Sequence, residues 1–338
     1  MPGMSATTTP RASRRRRRVL RTTAAVLVLA AAAVWAGNTS LWGPDPEGGP
    51  GVLAHRGLGQ TFDVADTDAD TCTAEIIHEP EHDYLENTLP SMRAAFDAGA
   101  DVVELDVHMT ADDRFAVFHD WEVDCRTDGT GTTRDHTLAE LQRLDIGYGY
   151  TADGGRTFPF RGEGVGLMPS LDDVFDAFPD EELLLHVKSE DPAEGVLLAD
   201  RLAELPAERR AAVTVYGGDA PIDALHARLP DLRVMSKGLM VDCLLRYEAV
   251  GWTGHVPDAC AGLQLHIPEG YGPWLWGWPD RFTARMAEVD TRVVLVAGSG
   301  GASEGFDTPE AVDRVPTGFD GLIWTNTAQD TAAPIRAR

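Results

Sequence analysis

ADVVELDVHMTADDRFAVFHD, residues 100–120, decides the fold. It holds two apolar, β-rich runs, Val102–Val107 and Phe115–His119, with too few residues between them for a helix. The pair reads as an irregular or hairpin-like β unit, not a strand–helix–strand crossover. In the first run Glu104 and Asp106 stand two residues apart, and side chains at i and i+2 of a strand share a face. Both carboxylates therefore project together from an apolar segment. That placement is costly without compensation and suits a hard divalent cation with oxygen ligands. His119-Asp120 closes the second run, and an earlier run, Val52–Ala54, ends in His55-Arg56-Gly57. Two histidines beside a pair of acids fit metal-assisted acid–base chemistry.

On either side of this stretch, apolar runs alternate with helical patterns. Strands are expected at Val52–His55, Val102–Val107, Phe115–His119, Leu183–Val187, Ala212–Tyr216, Leu232–Met235, Leu263–His266, Val293–Ala297 and Gly321–Thr325. Helices are expected at Leu89–Ala98, Leu138–Leu144, Leu171–Phe178, Ala193–Leu205, Ile222–Leu229, Phe282–Val289 and Pro309–Val315, with Pro169-Ser170 as a start signal for the third. The alternation implies a parallel sheet covered by helices. Eight or nine strands in this length suit an α/β fold, a single-domain (β/α)₈ TIM barrel over residues 51–330. His55, Glu104, Asp106, His119, His186 and Lys188 all fall at C-terminal strand ends, the rim where such barrels build active sites. Thr61–Tyr84, rich in Asp, Glu and His, is an inserted loop after the first strand, placed to roof that rim.

The chain has 338 residues and a formal net charge of −25. Seven Arg and no acid lie in the first 36 residues, so the remainder carries 22 basic against 54 acidic side chains, a formal −32. This argues against nucleic acid as a partner, and an anionic substrate would need a local cation from metal, Arg or Lys. Residues 1–36 read as a signal peptide or signal anchor: a basic run, then the apolar stretch Ala24–Ala36, which by itself is short for a membrane span. Val34-Trp35-Ala36 is a usable cleavage site, and Arg16-Arg17-Arg18-Val19-Leu20-Arg21 is similar to a twin-arginine export signal. Residues 37–50 read as a linker containing the triplet Asn38-Thr39-Ser40. The four Cys of an exported chain favour disulfides, and pairing in sequence order, Cys72–Cys125 and Cys243–Cys260, is one of three connectivities.

Other residues have bland readings. His108 shares the face of Glu104 and Asp106 by period but is expected in a loop beyond the strand. Asp120, adjacent to His119 in a strand, should point away from it. Glu86 could serve the site or only the structure, with Asn87-Thr88 capping a helix. Trp274, Trp276 and Trp278 suit an alcohol moiety, a lipid interface or loop packing. Glu75, His78, Glu79, Glu81, His82 and Asp83 form a solvated acidic loop or a second metal site.

The segments AHRGLG (54–59), LENT (85–88), GADVVELDV (99–107), FHD (118–120), TDG (127–129), MPSLDDVF (168–175), LLLHVKS (183–189) and GFDGLIWTN (318–326) resemble the glycerophosphodiester phosphodiesterase family. The resemblance implies a (β/α)₈ barrel that cleaves glycerophosphodiesters to sn-glycerol 3-phosphate and an alcohol with a divalent cation, usually Ca²⁺ or Mg²⁺. It implies His55 and His119 as the catalytic pair, Arg56 and Lys188 as phosphate contacts, and Glu104 and Asp106 as metal ligands. The third ligand in the family is usually Glu; here the position is His186, which admits Mn²⁺ or Zn²⁺ as well. A glycerophosphodiester or lipid head group is the expected small-molecule partner, near a membrane or cell wall. Rival readings are a lysophospholipase D, a hydrolase of glycerophosphate wall polymers, and a non-catalytic binding protein with a decayed site.

Overall fold

A computed structural model describes residues 11–43, 48–63, 67, 71–299 and 304–338, with backbone only for 11–14. Parts of the expected export segment, linker and inserted loop lie outside the described residues.

Nine strands form: β1 (Gly51–Ala54), β2 (Val102–Met109), β3 (Phe115–Val117), β4 (Glu182–Val187), β5 (Val213–Gly217), β6 (Val234–Ser236), β7 (Gln264–Pro268), β8 (Arg292–Val296) and β9 (Leu322–Thr325). Eight pair in parallel in the order β6-β5-β4-β2-β1-β9-β8-β7. One parallel bridge, Val234 to Leu263, joins the two ends, so the barrel is nearly closed. β3 stands off this path and pairs antiparallel with β2, Val107 opposite Val117; it is the expected hairpin-like unit.

The strands form where branched and long aliphatic residues cluster, interrupted in β2, β4 and β7 by polar residues such as Glu104, Asp106, His186 and His266, as suits a parallel sheet covered on both faces. Helices begin where a hydroxyl can cap them. Thr88 accepts from the Ser91 amide ahead of Leu89–Asp97, and Ser170 accepts from the Asp173 amide ahead of Leu171–Ala177. The main core lies between sheet and helices and includes Val52, Val103, Leu105, Leu185, Leu198, Val215, Ile222 and Phe282. The barrel lumen is filled below the rim by Leu53, Val102, Leu184, Val294, Leu322 and Trp324. A smaller core of Ala74, Ile77, Phe118, Leu141, Tyr150 and Phe160 supports the loops above the rim. Both disulfides, Cys72–Cys125 and Cys243–Cys260, pair in sequence order.

Three helices lie outside the expected set: Ala207–Ala211, Lys237–Val250 and Ala328–Arg336. In Lys237–Val250 only Cys243 and Tyr247 are buried, so its apolar residues mark no single face. The N-terminal segment also differs. Helix Arg11–Asn38 begins well before Ala24, and over Arg15–Asn38 it is long and apolar enough to cross a membrane. His108 lies inside β2 and is fully buried, its Nε2 3.1 Å from the His119 carbonyl, because β2 runs two residues past its expected end.

Candidate active site

Register assembles the site. Asp106 of β2 lies opposite His186 of β4, which lies opposite Tyr216 of β5, so three lumen-facing side chains share one row. Glu104 stands one layer below, reached from above by the Tyr216 hydroxyl, which donates to Oε1 at 2.7 Å. The His186 ring stacks on Tyr216 at 4.2 Å and places Nδ1 2.9 Å from Asp106 Oδ1 and 3.9 Å from Glu104 Oε1. Glu104, Asp106 and His186 offer ligand atoms all within 4.8 Å of one another, the one such group among the described residues. The described residues of the acidic loop around His78 and His82 form none.

This trio fits a divalent cation. Both carboxylates have no exposed surface. Burial first, and Asp106 second, push the Glu104 carboxyl up to about 8. Burial would raise Asp106 too, but Lys188 (Nζ at 3.5 Å) and then Arg56 (Nε at 3.2 Å) hold it well below the usual range. Burial pushes His186 down to about 4, leaving the neutral imidazole a metal ligand requires. A cation on the trio would supply the positive charge that lets the buried Glu104 carboxyl ionise.

His55 follows β1 directly. Asn326 donates Nδ2–H to Asp307 Oδ2 at 2.7 Å, which leaves its Oδ1 to accept from His55 Nδ1 at 2.6 Å. His55 Nε2 is therefore the unprotonated nitrogen, and it accepts from Arg56 Nε at 3.0 Å. The ring lies against Trp324 at 4.7 Å. Burial and then the Arg56 charge lower its pKa well below 6.5, so His55 is neutral.

Arg56 adopts a left-handed backbone (φ 59°). This turns its amide toward Glu104 Oε2 (3.2 Å) and its guanidinium between Asp106 and Glu86, with Nη1 2.9 Å from Glu86 Oε1. Gly57 follows at φ 77°; an added Cβ there would meet the Met92 backbone nitrogen at 2.8 Å, so only glycine fits the turn.

His119 reaches the same cavity from beyond β3. Contrary to the expectation from strand alternation, Asp120 does face it: Oδ1 accepts from His119 Nδ1 at 2.6 Å. Strand geometry ends at Val117, so adjacent side chains need not oppose. Arg126 fixes Asp120 from behind, Nε to Oδ2 at 2.8 Å, and its Nη1 lies 3.4 Å from Glu86 Oε2. Burial and then Arg56 lower the His119 pKa, opposed by Asp106 and Asp120.

The cavity measures about 640 Å³ and is lined by His55, Arg56, Gln60, Glu86, His119, Lys188 and Asn326, with Phe62 and His78 of the inserted loop. All seven sequence-predicted residues thus converge on the rim. Sequence reasoning missed Tyr216 and the Asp307–Asn326 pair, and it misread Asn87. Thr88 alone caps the helix; Asn87, at φ 60°, clasps Asp106 through Nδ2 to Oδ2 (3.0 Å) and Oδ1 to the Asp106 amide (3.1 Å). The segments LENT and GFDGLIWTN carried Asn87 and Asn326, but nothing in the residue types alone told an orienting amide from a turn residue.

Fold and site define a (β/α)₈ barrel with two histidines, two cationic side chains and a candidate metal trio at its C-terminal rim. Residues 55–203 match the model of the glycerophosphoryl diester phosphodiesterase family. The chain is 36% identical over 103 residues to a glycerophosphodiester phosphodiesterase of Caldanaerobacter subterraneus subsp. tengcongensis, covering 30% of this chain and 39% of that protein. It is 36% identical over 107 residues to one of Bacillus subtilis, covering 30% and 35%. The match thus spans well under half the length of these relatives. A glycerophosphoryl diester phosphodiesterase domain from Mycobacterium tuberculosis superposes with a TM-score of 0.58 at 18% identity, over 86% of this chain and all of that one. An Oleispira antarctica phosphodiesterase, solved with its product sn-glycerol-3-phosphate, gives 0.53 at 18% identity, over 85% and 97%. Residues 55–203, the part that carries His55, Glu104, Asp106, His119, His186 and Lys188, are thus similar to the glycerophosphoryl diester phosphodiesterase family.

Proposed function

We propose that the chain is an exported, metal-dependent phosphodiesterase that hydrolyses glycerophosphodiesters to sn-glycerol 3-phosphate and an alcohol, with residues 51–330 as the catalytic unit. The observation that carries this reading is the convergence of His55, His119, Arg56 and Lys188 on one cavity beside the Glu104–Asp106–His186 trio. The relative solved with sn-glycerol-3-phosphate supports the product class. Two disulfides and an apolar N-terminal helix support export.

Glu104, Asp106 and His186 would hold the cation, Ca²⁺ or Mg²⁺ first and Mn²⁺ or Zn²⁺ next, as the imidazole is a softer donor. When bound, it would offset phosphate charge and acidify a coordinated hydroxyl. Arg56 and Lys188 give the diester a local cationic seat in an otherwise acidic chain. The hydrogen bonds support different roles for the two histidines. His55 is backed by a neutral amide, keeps its proton on Nδ1 and stays neutral, so its Nε2 removes the proton of the attacking hydroxyl. His119 is backed by the Asp120 carboxylate, which favours the imidazolium, so it protonates the departing alkoxide.

The test is release of glycerol 3-phosphate from glycerophosphocholine with Ca²⁺, Mg²⁺, Mn²⁺, Zn²⁺ or EDTA. Metal-dependent turnover is expected, falling roughly 10²–10⁴-fold in His55→Ala and His119→Ala. Tight binding without turnover under every metal condition would favour a binding protein instead.

A further inference from the structure

The N-terminal helix is not hung on a loose linker; its last turn is bonded to the barrel. Arg285 donates from Nη2 to the Gly37 carbonyl (2.9 Å) and from Nη1 to Asn38 Oδ1 (2.9 Å) and the hydroxyl of buried Tyr247 (2.9 Å). Arg281 donates to the carbonyls of Thr39 and Trp42, both at 2.9 Å. In return, Asn38 Nδ2 donates to the Trp252 carbonyl (3.0 Å) and Ser40 Oγ to the Trp278 carbonyl (3.1 Å). The Asn38 amide is thereby consumed by structure, which speaks against the Asn38-Thr39-Ser40 triplet as a modification site.

Above that turn the helix has no protein cover. Val26, Leu27, Val28 and Leu29 are between 58% and 69% exposed. A helix apolar on every side needs an apolar surround. Val19–Ala36, 18 residues with Arg21 as the one charge, rise about 27 Å at about 1.5 Å each, against a hydrocarbon core of about 30 Å, and the flanking arginines can reach the interface. Arg15–Arg18 and Arg21 cluster at the end away from the barrel, as the positive-inside tendency requires of a span whose globular part is outside. At the barrel end stand three half-exposed tryptophans. Trp35 and Trp42 pack edge to face at 5.4 Å, Trp42 Nε1 donates to the Ala36 carbonyl, and Trp252 belongs to the barrel residue that Asn38 grips. Tryptophans level with the end of a span are the mark of a lipid–water boundary.

We infer that Arg15–Asn38 is a retained membrane anchor, and that Trp35, Trp42 and Trp252 form one interfacial seat holding the barrel against the bilayer in a fixed orientation. The lipid bilayer is the partner, and the seat is built from both the span and the barrel. This inference stands apart from the catalytic reading, and its test reads no turnover.

The full chain is expressed in bacterial membranes, extracted and reconstituted in vesicles of phosphatidylcholine and phosphatidylglycerol, with and without bromine on the acyl chains. The expected results are a carbonate-resistant protein whose mass includes residues 15–38, tryptophan emission quenched by brominated lipid, and a smaller quenched share in Trp252→Phe. Mature protein starting at Gly37 in the soluble fraction would overturn the anchor. A carbonate-resistant chain whose quenching is the same in Trp252→Phe would overturn the seat.

Discussion

Replacing Asp120 by Asn isolates the acid role assigned to His119. The amide keeps the shape of the side chain and removes its charge. In the native site the carboxylate lies 2.6 Å from His119 Nδ1 and 2.8 Å from Arg126 Nε, so it both holds the ring and offsets a neighbouring cation. Hydrogen bonds to charged groups contribute about 1.5–3 kcal/mol. At about 1.36 kcal/mol per tenfold, the loss of imidazolium stabilisation predicts a fall of roughly 10- to 200-fold in turnover of glycerophosphocholine. The alkaline limb of the rate profile moves to lower pH, because Asp120 is one of the groups that raise the His119 pKa. The decisive assay compares two leaving groups in the same variant. Choline alkoxide needs a proton to depart; p-nitrophenolate does not. Asp120→Asn and His119→Ala should both be penalised far less on glycerophospho-p-nitrophenol, with circular dichroism confirming a folded chain. Equal losses on both substrates would refute the division of labour between the histidines.

With His55 in the proposed role of neutral base, the acid limb of kcat/KM should lie below pH 6.5, because burial followed by Arg56 lowers its pKa well below that value; a cation on the trio would push it the same way. A limb above 6.5 would contradict that role. His186→Glu should tighten Ca²⁺ binding at least about tenfold by calorimetry, since an oxygen donor replaces nitrogen for a hard cation, and should lower Tm in EDTA, where a third buried carboxylate goes uncompensated; unchanged affinity would exclude position 186 from the ligand set. Removing Cys72–Cys125 by a double Ser substitution opens a loop of 53 residues. By loop entropy this costs about 4 kcal/mol of the stability of the region it closes, readable as early exchange of amides in the roof over the site.

The fold was legible in sequence because its evidence is local and repeated. All nine strands lie within two residues of where apolar runs put them, and Ser170 does start a helix. The candidate site was legible at Glu104 and Asp106, whose shared face follows from period two along one strand, and at His186 through its place at a strand end and the family resemblance. It failed where period was carried too far or stopped too soon. Asp120 was assigned a strand direction after β3 had ended, and His108 a loop position while β2 still ran. Tyr216 and Asn326 reach the site only through register between strands far apart in the chain, which no local pattern encodes. The helix Lys237–Val250 was hidden because burial there follows a disulfide and one tyrosine instead of a stripe.

The barrel's weakest seam lies between β6 and β7, where a lone bridge at Val234 and Leu263 stands in for a full ladder. The Cys243–Cys260 bond fastens the helix leaving β6 to the segment entering β7, and so spans that seam. Covalent chemistry there does what backbone pairing does around the rest of the ring. Reduction of that bond is expected to loosen this edge ahead of the fully paired ones, so the redox state of the surroundings bears on how tightly the cylinder closes.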